Sequence, residues 1–179
     1  MGTENVASCR KAHGAKVMAW VGMVDGKVLP VHWFQGSVDA AAYLEMLRTV
    51  VWPAIKSLAT RKRYWFQQDG ASPHCTAEVL EFLRSKFGDW LISRNTDHHW
   101  PPYSPDLSPL DFSFWGQAMA HVVRTEPSTL EELKGEVEDF ARHFDPDKAR
   151  RMARRCQYRT QLCVSVGGGH FEHLIKKKR

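Results

Sequence analysis

The 179-residue sequence has few cysteines and no long apolar run. Its four cysteines, Cys9, Cys75, Cys156 and Cys163, contain no C-x-x-C pair and no even spacing, which argues against a zinc knuckle and a disulfide scaffold. Free thiols in a reducing compartment are expected. No stretch reaches the ~18 apolar residues of a membrane span, and the first residues lack the apolar segment of a signal peptide. We therefore expect an intracellular protein without a membrane partner.

The composition is that of a globular chain with a small excess of positive charge. Apolar residues make up 43% of the sequence, enough for one buried core. There are 25 Lys and Arg against 20 Asp and Glu, a formal net charge of +5, which suits a polyanionic partner without identifying one. The final Lys176–Arg179 run is either a nuclear-targeting patch or simply solvated. No internal repeat is visible.

The first half of the chain has a strand-rich pattern followed by a helix. Residues 1–16 are polar and unpatterned, and we interpret them as a leader. Val17–Val24 and Lys27–Phe34 are β-rich runs joined by Asp25-Gly26, which predicts a hairpin. Ser37 is a candidate cap for a following helix, which Pro53 would bend or interrupt.

Two further strands and a helix are predicted in the middle of the chain. Tyr64–Gln68 is a short aromatic-rich strand ending at Asp69, Thr76–Phe87 has helical apolar spacing, and Trp90–Ile92 is a short buried strand. His98 and His99 are expected to be an exposed loop pair.

The second half is helical after a proline-rich loop. Four prolines within Trp100–Asp111 exclude regular structure until a helix resumes at about Asp111. Ser128–Glu131 is a capping-box sequence for the next helix, and Asp145-Pro146 opens a last helix that ends before Gly167. The sequence therefore predicts a core over residues 17–127 and a C-terminal helical extension with a basic tail over residues 128–179.

Two aspartates, Asp69 and Asp111, lie at positions where a functional role and a purely structural role are both plausible. Asp69 lies where a strand ends, the place at which open α/β sheets present functional side chains, but it is also suited to a turn or helix cap. Asp111 follows the proline-rich loop at a helix start, where capping is an equally ordinary role. Their individual positions leave the choice open.

The combination of motifs is more informative. Gln67–His74 reads QQDGASPH and Trp100–Phe112 reads WPPYSPDLSPLDF. This order resembles mariner-type DNA transposases, in which an aspartate, small residues and a histidine precede an S-P-D-L-x-P loop ending in a catalytic carboxylate. The resemblance extends to further segments at Lys16–Trp20, Gly36–Val38, Tyr43-Leu44, Cys163 and Gly167–Leu174.

The resemblance implies an α/β, ribonuclease-H-like fold: a mixed five-stranded sheet with helices on both faces, followed by C-terminal helices. It also implies cut-and-paste DNA transposition, with metal-dependent cleavage and strand transfer at transposon ends. DNA would be the partner, a homodimer the assembly and the nucleus the location. No small-molecule substrate is implied.

Carried over by position, Asp69 corresponds to the second catalytic carboxylate of the family and Asp111 to the third. They would hold Mg²⁺ or Mn²⁺ in a two-metal site, whose ions typically lie about 4 Å apart. Asp106 is a competing candidate, although we expect it to brace the loop. His74 either contacts a phosphate or tunes the site, or it caps the next helix.

Five arginines of the last predicted helix form either a stripe for the DNA backbone or a solvated face. They are Arg150, Arg151, Arg154, Arg155 and Arg159.

The family's first carboxylate lies on a strand ahead of the Val17 region. Only sixteen residues precede Val17 here, and Glu4 lies among them without a strand pattern. The sequence is therefore expected to be N-terminally truncated relative to the family and to lack both that strand and that carboxylate. Two hypotheses remain: a metal-dependent transposase region, or an inactive remnant that binds nucleic acid or a protein.

Overall fold

The structure, a computed structural model, describes residues 17–58 and 63–175. The predicted leader, residues 1–16, and the basic tail, residues 176–179, lie outside these ranges. The described strands are β1 (Met18–Trp20), β2 (Met23–Val24), β3 (Lys27–Val28), β4 (His32–Phe34), β5 (Phe66–Gln67), β6 (Leu91–Ser93) and β7 (His98–His99). The α-helices are α1 (Ala40–Met46), α2 (Trp52–Ser57), α3 (Ala77–Phe87), α4 (Trp115–Thr125), α5 (Leu130–Arg142) and α6 (Pro146–Ser165).

The predicted hairpin is present. Asp25 and Gly26 have φ angles of 50° and 82°, as a tight hairpin turn with two positive φ values requires. β2 pairs with β3 and β1 with β4, both antiparallel. Each predicted strand is divided in two, and Pro30, which has no N–H to donate, lies between β3 and β4. The hairpin prediction is therefore confirmed, with a break in each arm.

Three short parallel strands form a three-stranded sheet in the order β5-β6-β7, beside the two-stranded pairs β1-β4 and β2-β3. Ile92 pairs with His98 in β7, so the prediction of a loop at His98-His99 was wrong, although both side chains are exposed as expected. A connection of only four residues joins β6 to β7, far shorter than the usual crossover between parallel strands. The buried Thr96 hydroxyl braces it, lying 2.9 Å from the carbonyl oxygens of Ser93 and His98.

The first long helix begins later than predicted and passes through Pro53. Its N-cap is Asp39, whose carboxylate accepts a hydrogen bond from Ala42 N at 2.8 Å, so the assignment of Ser37 as cap was wrong. A π-helical segment, Leu47–Val51, joins α1 to α2 directly ahead of Pro53. Because proline cannot donate and crowds the carbonyl four residues earlier, the wider turn lets the helix continue.

The structure corrects the predicted N-terminal cap of α5 and confirms that of α6. The capping box of α5 uses Thr129 and Glu132 rather than Ser128 and its partner three residues later. Thr129 Oγ1 accepts from Glu132 N at 3.1 Å, and Glu132 Oε2 accepts from Thr129 N at 3.3 Å. Asp145 caps α6 as predicted, accepting from Asp147 N at 2.9 Å.

The hairpin separates two hydrophobic clusters. Ala19 and Val21 pack toward α4, α5 and α6, whereas Trp20 and Leu29 pack toward α1 and α3. This is the alternation expected of a strand with helices on both of its faces. The described hairpin strands and parallel strands are not hydrogen-bonded to each other and so form separate sheets.

The C-terminal helices share the first of these clusters. Leu133 of α5 and Met152 of α6 are buried together with Val17 and Phe114. Packing thus runs across the division predicted at residues 127 and 128, which stays a prediction. In the part of the chain that the structure describes, no helix combines the length and apolar character needed to cross a bilayer.

Candidate metal centre

Asp69 lies two residues beyond β5, at the end of the parallel strands. Gln68 N donates to Ile92 O at 3.0 Å and so extends the pairing of β5 with β6 up to this position. The Asp69 Oδ1 atom accepts a hydrogen bond from Ala71 N at 3.1 Å and lies 2.6 Å from Nδ1 of His74. An ionised carboxylate only accepts, so the His74 nitrogen is the donor. Asp69 is thus both a turn residue and a partner of His74.

A buried hydrogen-bonded cluster holds His74 in place. The His74 ring stacks on Tyr43 of α1, with 4.0 Å between centroids. Burial raises the pKa of Tyr43, helped by the charge of Asp69, so its hydroxyl remains a donor and bonds Gln68 Oε1 at 3.0 Å. Gln68 Nε2 in turn donates to His74 O at 2.7 Å and to Ser93 Oγ at 2.9 Å. Residues from α1, β5 and β6 therefore fix the side of the site that carries Asp69.

Asp111 begins a helix that is wound more widely than an α-helix. It is the second residue of a π-helical segment, Leu110–Phe114, which leads into α4. Ser108 O accepts from both Asp111 N, at 3.1 Å, and Phe112 N, at 3.0 Å. The helix thus resumes at Leu110, close to the predicted start, but as a π turn. Such turns are frequent at functional sites because they redirect side chains locally.

The two carboxylates influence each other although 41 residues separate them in the sequence. The pKa of Asp111 is raised to about 6, mainly by burial; the Ser108 side chain opposes the shift by hydrogen bonding, and the negative charge of Asp69 adds to it. A carboxylate whose ionisation is opposed by burial and by a neighbouring negative charge is the electrostatic arrangement that a bound cation relieves.

A cavity of about 360 Å³ connects the two loops. Asp69 and His74 line it on one side, and Ser108, Pro109 and Leu110 line it on the other. The structure therefore brings the two predicted aspartate motifs to one place.

The described residues provide two carboxylates here but no third metal ligand. Among residues 17–58 and 63–175, no group of three His, Cys, Asp or Glu side chains is placed to hold a metal ion. The donor chemistry of Asp69 and Asp111 fits Mg²⁺ or Mn²⁺, which prefer carboxylate oxygens, but the described set is incomplete for a two-metal site.

Asp106 lies in a short 3₁₀ turn, Pro105–Leu107, within the proline-rich loop. Its carbonyl oxygen accepts a hydrogen bond from Arg159 Nε of α6. The Arg159 guanidinium also bonds Glu172, and it lies 4.5 Å from the centroid of the Phe112 ring. Arg159 thereby ties the loop that ends in Asp111 to the C-terminal helix.

The five predicted DNA-contacting arginines divide into two groups. Arg159 is buried, with 8% of its surface exposed, so its contacts are internal. Arg150 and Arg151 are exposed and pair with Asp147 and Asp145 respectively, at 2.8 and 3.4 Å. Arg154 and Arg155 are also exposed. Contact with nucleic acid stays a prediction for the exposed four.

Sequence reasoning missed Tyr43, Gln68 and Ser93 as parts of this site. Tyr43 was noted within a segment that carries the resemblance, and its hydroxyl partner is 25 positions away. Gln68, directly before Asp69, carried the one usable signal, because a polar residue at the end of a buried strand needs a partner.

The fold resembles that of a catalytic domain of known structure. It superimposes on the Mos1 transposase catalytic domain, solved with Raltegravir and Mn, with a TM-score of 0.78 and 21% identity, covering 96% of this chain and 83% of that one. The same protein in a paired-end complex with its left transposon end gives a TM-score of 0.77 over 94% of this chain and 48% of that one, at 21% identity. The expected ribonuclease-H-like fold is confirmed.

Sequence relatives point to the same class. The chain is 25% identical to the Tc3 transposable-element transposase of Caenorhabditis elegans over 171 residues, 94% of this chain and 49% of that protein. It is 29% identical to the Tcb1 transposase of Caenorhabditis briggsae over 102 residues, 56% of this chain and 34% of that protein. No family model matches the chain. These similarities confirm the resemblance to the catalytic region of mariner-type transposases, and the chain spans half or less of these two relatives.

Proposed function

We propose that this chain is a transposase catalytic region that acts on DNA and binds divalent metal ions through Asp69 and Asp111. The observation that supports it best is that the Asp69 and Asp111 motifs meet at one cavity. The loop after β5 and the π-helical turn before α4 both border this cavity, and the charge on Asp69 adds to the rise that burial causes in the pKa of Asp111.

In this proposal each residue of the site has a defined task. Asp69 and Asp111 hold Mg²⁺ or Mn²⁺; such ions activate a water or hydroxyl nucleophile and stabilise the leaving oxygen of a phosphodiester. His74 fixes the orientation of the Asp69 carboxylate, and Ser108 hydrogen-bonds Asp111. A third carboxylate would come from outside the described residues.

DNA at transposon ends is the proposed substrate, and the nucleus the proposed location. The support is the paired-end complex of Mos1 with its transposon end, together with the exposed arginines of α6 in this chain. A homodimer is part of the same proposal. For the arginines the reason is physical, because guanidinium groups neutralise backbone phosphates and release counterions.

A second candidate function is an inactive transposase remnant that binds nucleic acid or a protein partner. One observation favours it: within the described residues, the two carboxylates have no third metal ligand beside them. The two candidates share the fold and differ in whether the chain cleaves DNA.

A metal titration and a nicking assay on the purified chain test the proposal. Mn²⁺ binding, followed by electron paramagnetic resonance, should be lost when Asp69→Asn and Asp111→Asn are combined. It should persist in Asp97→Asn, a matched change at an exposed aspartate. Mn²⁺-dependent nicking of supercoiled DNA with the same variant pattern would support the enzyme. Metal binding without nicking would favour the remnant, and binding insensitive to the double variant would contradict the site.

A further inference from the structure

A second cavity, of about 630 Å³, is lined by neither Asp69 nor Asp111; it adjoins the cavity beside Asp69, with which it shares Ile55, Tyr64 and Phe87. We call it the Trp52–Trp90 cavity, after the two indole rings that line it. Arg63 and Trp90, which also line it, precede the parallel strands β5 and β6, whereas Asp69 follows β5. The cavity is therefore at the opposite end of these strands from the candidate metal centre.

The Trp52–Trp90 cavity is rich in uncompensated positive charge. Lys56, Arg63 and Lys86 line it, against the single carboxylate of Asp89. None of the three cations forms an ion pair with another residue in the ranges 17–58 and 63–175. All three are exposed, so their charges are available to an anionic ligand.

Aromatic rings stand beside these charges. Lys86 Nζ lies 5.7 Å from the centroid of the Trp52 ring, so a cation and a π surface adjoin. Trp90 contacts Trp65, with 5.0 Å between ring centroids, and Trp65 is 47% exposed. Trp65 in turn meets the edge of the exposed His98 ring at 4.7 Å. The aromatic surface thus continues from the cavity onto the edge of the parallel sheet.

We propose that the Trp52–Trp90 cavity binds unpaired nucleotides of a DNA single strand, with phosphates at the three cations and a base against the indole rings. Basic grooves with aromatic platforms bind single strands because every base offers a π face, which a base-paired duplex keeps stacked inside. The cavity volume falls within the ~300–1,000 Å³ of ordinary small-ligand sites, enough for a nucleotide unit. An acidic protein segment would use the cations but leave the rings without a stacking partner.

This site is separate from the function proposed for Asp69 and Asp111, and its test needs no metal. Binding of a fluorescein-labelled oligo-dT strand to the full chain is measured by anisotropy in EDTA, between ~50 and ~200 mM salt. The variants are Lys56→Gln combined with Lys86→Gln, Trp52→Leu and Trp52→Phe. The matched control is Lys134→Gln, because Lys134 Nζ also lies over a tryptophan, 6.0 Å from the Trp33 ring centroid, outside the cavity.

We expect the double lysine variant to weaken single-strand binding about tenfold and to reduce the salt slope by about 1.4, which is 0.7 for each lost phosphate contact. Trp52→Leu should weaken it about tenfold with an unchanged salt slope, as loss of one stacked base does, while Trp52→Phe should retain most of the affinity. A duplex of the same length should be insensitive to Trp52→Leu. The control should bind like the parent chain.

Three results would overturn the proposal. The first is unchanged single-strand affinity in a double lysine variant whose circular dichroism spectrum matches that of the parent chain. The second is an equal loss of affinity in Lys134→Gln. The third is a polyglutamate peptide that binds the chain with the same dependence on the lysines and on Trp52, which would assign the cavity to an acidic protein partner instead.

Discussion

Nδ1 of His74 lies 2.6 Å from Oδ1 of Asp69, and His74 also contacts two side chains of the protein core. Its ring stacks on Tyr43 and its carbonyl oxygen accepts from Gln68 Nε2. The orientation of the Asp69 carboxylate is therefore set through His74 by Tyr43 of α1 and by Gln68, the residue after β5. Such supporting hydrogen bonds govern how well a carboxylate is placed to bind a metal.

Replacing His74 tests this relationship. We expect His74→Ala to lower Mn²⁺ affinity about tenfold, the lower end of what loss of a supporting hydrogen bond to a metal ligand costs. The comparison is Tyr43→Phe, which keeps the stacked ring but removes the donor to buried Gln68 Oε1. That change should lower the free energy of unfolding by about 1 kcal/mol and affect metal affinity less. Equal metal affinity in His74→Ala and the parent chain would show that His74 only packs.

Asp111 should make the metal-free protein less stable as the pH rises. Its folded pKa of about 6 lies above the ordinary 3.8, so the folded state holds a proton that the unfolded state has already released. The stabilisation is complete below pH ~4 and is lost as the pH rises through ~6. Because the Asp111 side chain is only partly buried, we expect the loss to be about 1–2 kcal/mol rather than the full value of the shift.

Urea unfolding in EDTA across this pH range measures the effect. Asp111→Asn should remove the decline and be more stable than the parent chain near neutral pH, because a neutral amide carries no desolvated charge. Asp97→Asn, at an exposed position, serves as the control and should keep the parent's pH profile. A parent chain whose stability is flat from pH ~4 to ~7 would contradict the burial of an ionisable Asp111.

Much of the fold was predictable because its signals are local. The Asp25-Gly26 turn and the Asp145 cap depend on neighbouring residues, and both were found. β7 was missed because two exposed histidines in so short a parallel connection have no strand pattern. The cap of α1 was misplaced by two residues, from Asp39 to Ser37, since both residue types suit that position.

The candidate site was predictable only in part, because many of its contacts join residues that are far apart in the sequence. Asp69 and Asp111 are predicted from the order of their motifs, but the partners that hold them depend on side-chain contacts between distant segments. The burial of Arg159 had a usable signal: it falls at helical spacing on the face of α6 that buries Ala149 and Met152. An arginine within an apolar stripe needs internal partners, unlike the exposed arginines between these positions.

Arg159 should therefore contribute to stability rather than to DNA binding. We expect Arg159→Gln to lower the free energy of unfolding by about 2–3 kcal/mol. The change removes the nearly buried guanidinium charge that hydrogen-bonds Glu172 and the carbonyl oxygen of Asp106. Arg159→Lys keeps the charge but loses the planar fork, and should recover only part of the loss. Chemical unfolding measures both. A variant as stable as the parent chain but weaker in DNA binding would contradict the internal role.

The exposed arginines of α6 should show the opposite behaviour. We expect Arg154→Gln combined with Arg155→Gln to reduce the salt slope of duplex DNA binding by up to about 1.8, which is 0.9 for each lost phosphate contact, with little change in stability. Arg142→Gln on α5 is the matched control, since Arg142 is also exposed and, among the described residues, pairs only with Asp139 of its own helix, at 3.4 Å. Anisotropy with a labelled duplex at several salt concentrations gives the slopes. If the double variant and the control change the slope equally, α6 has no preferred role and the arginines are simply a solvated face.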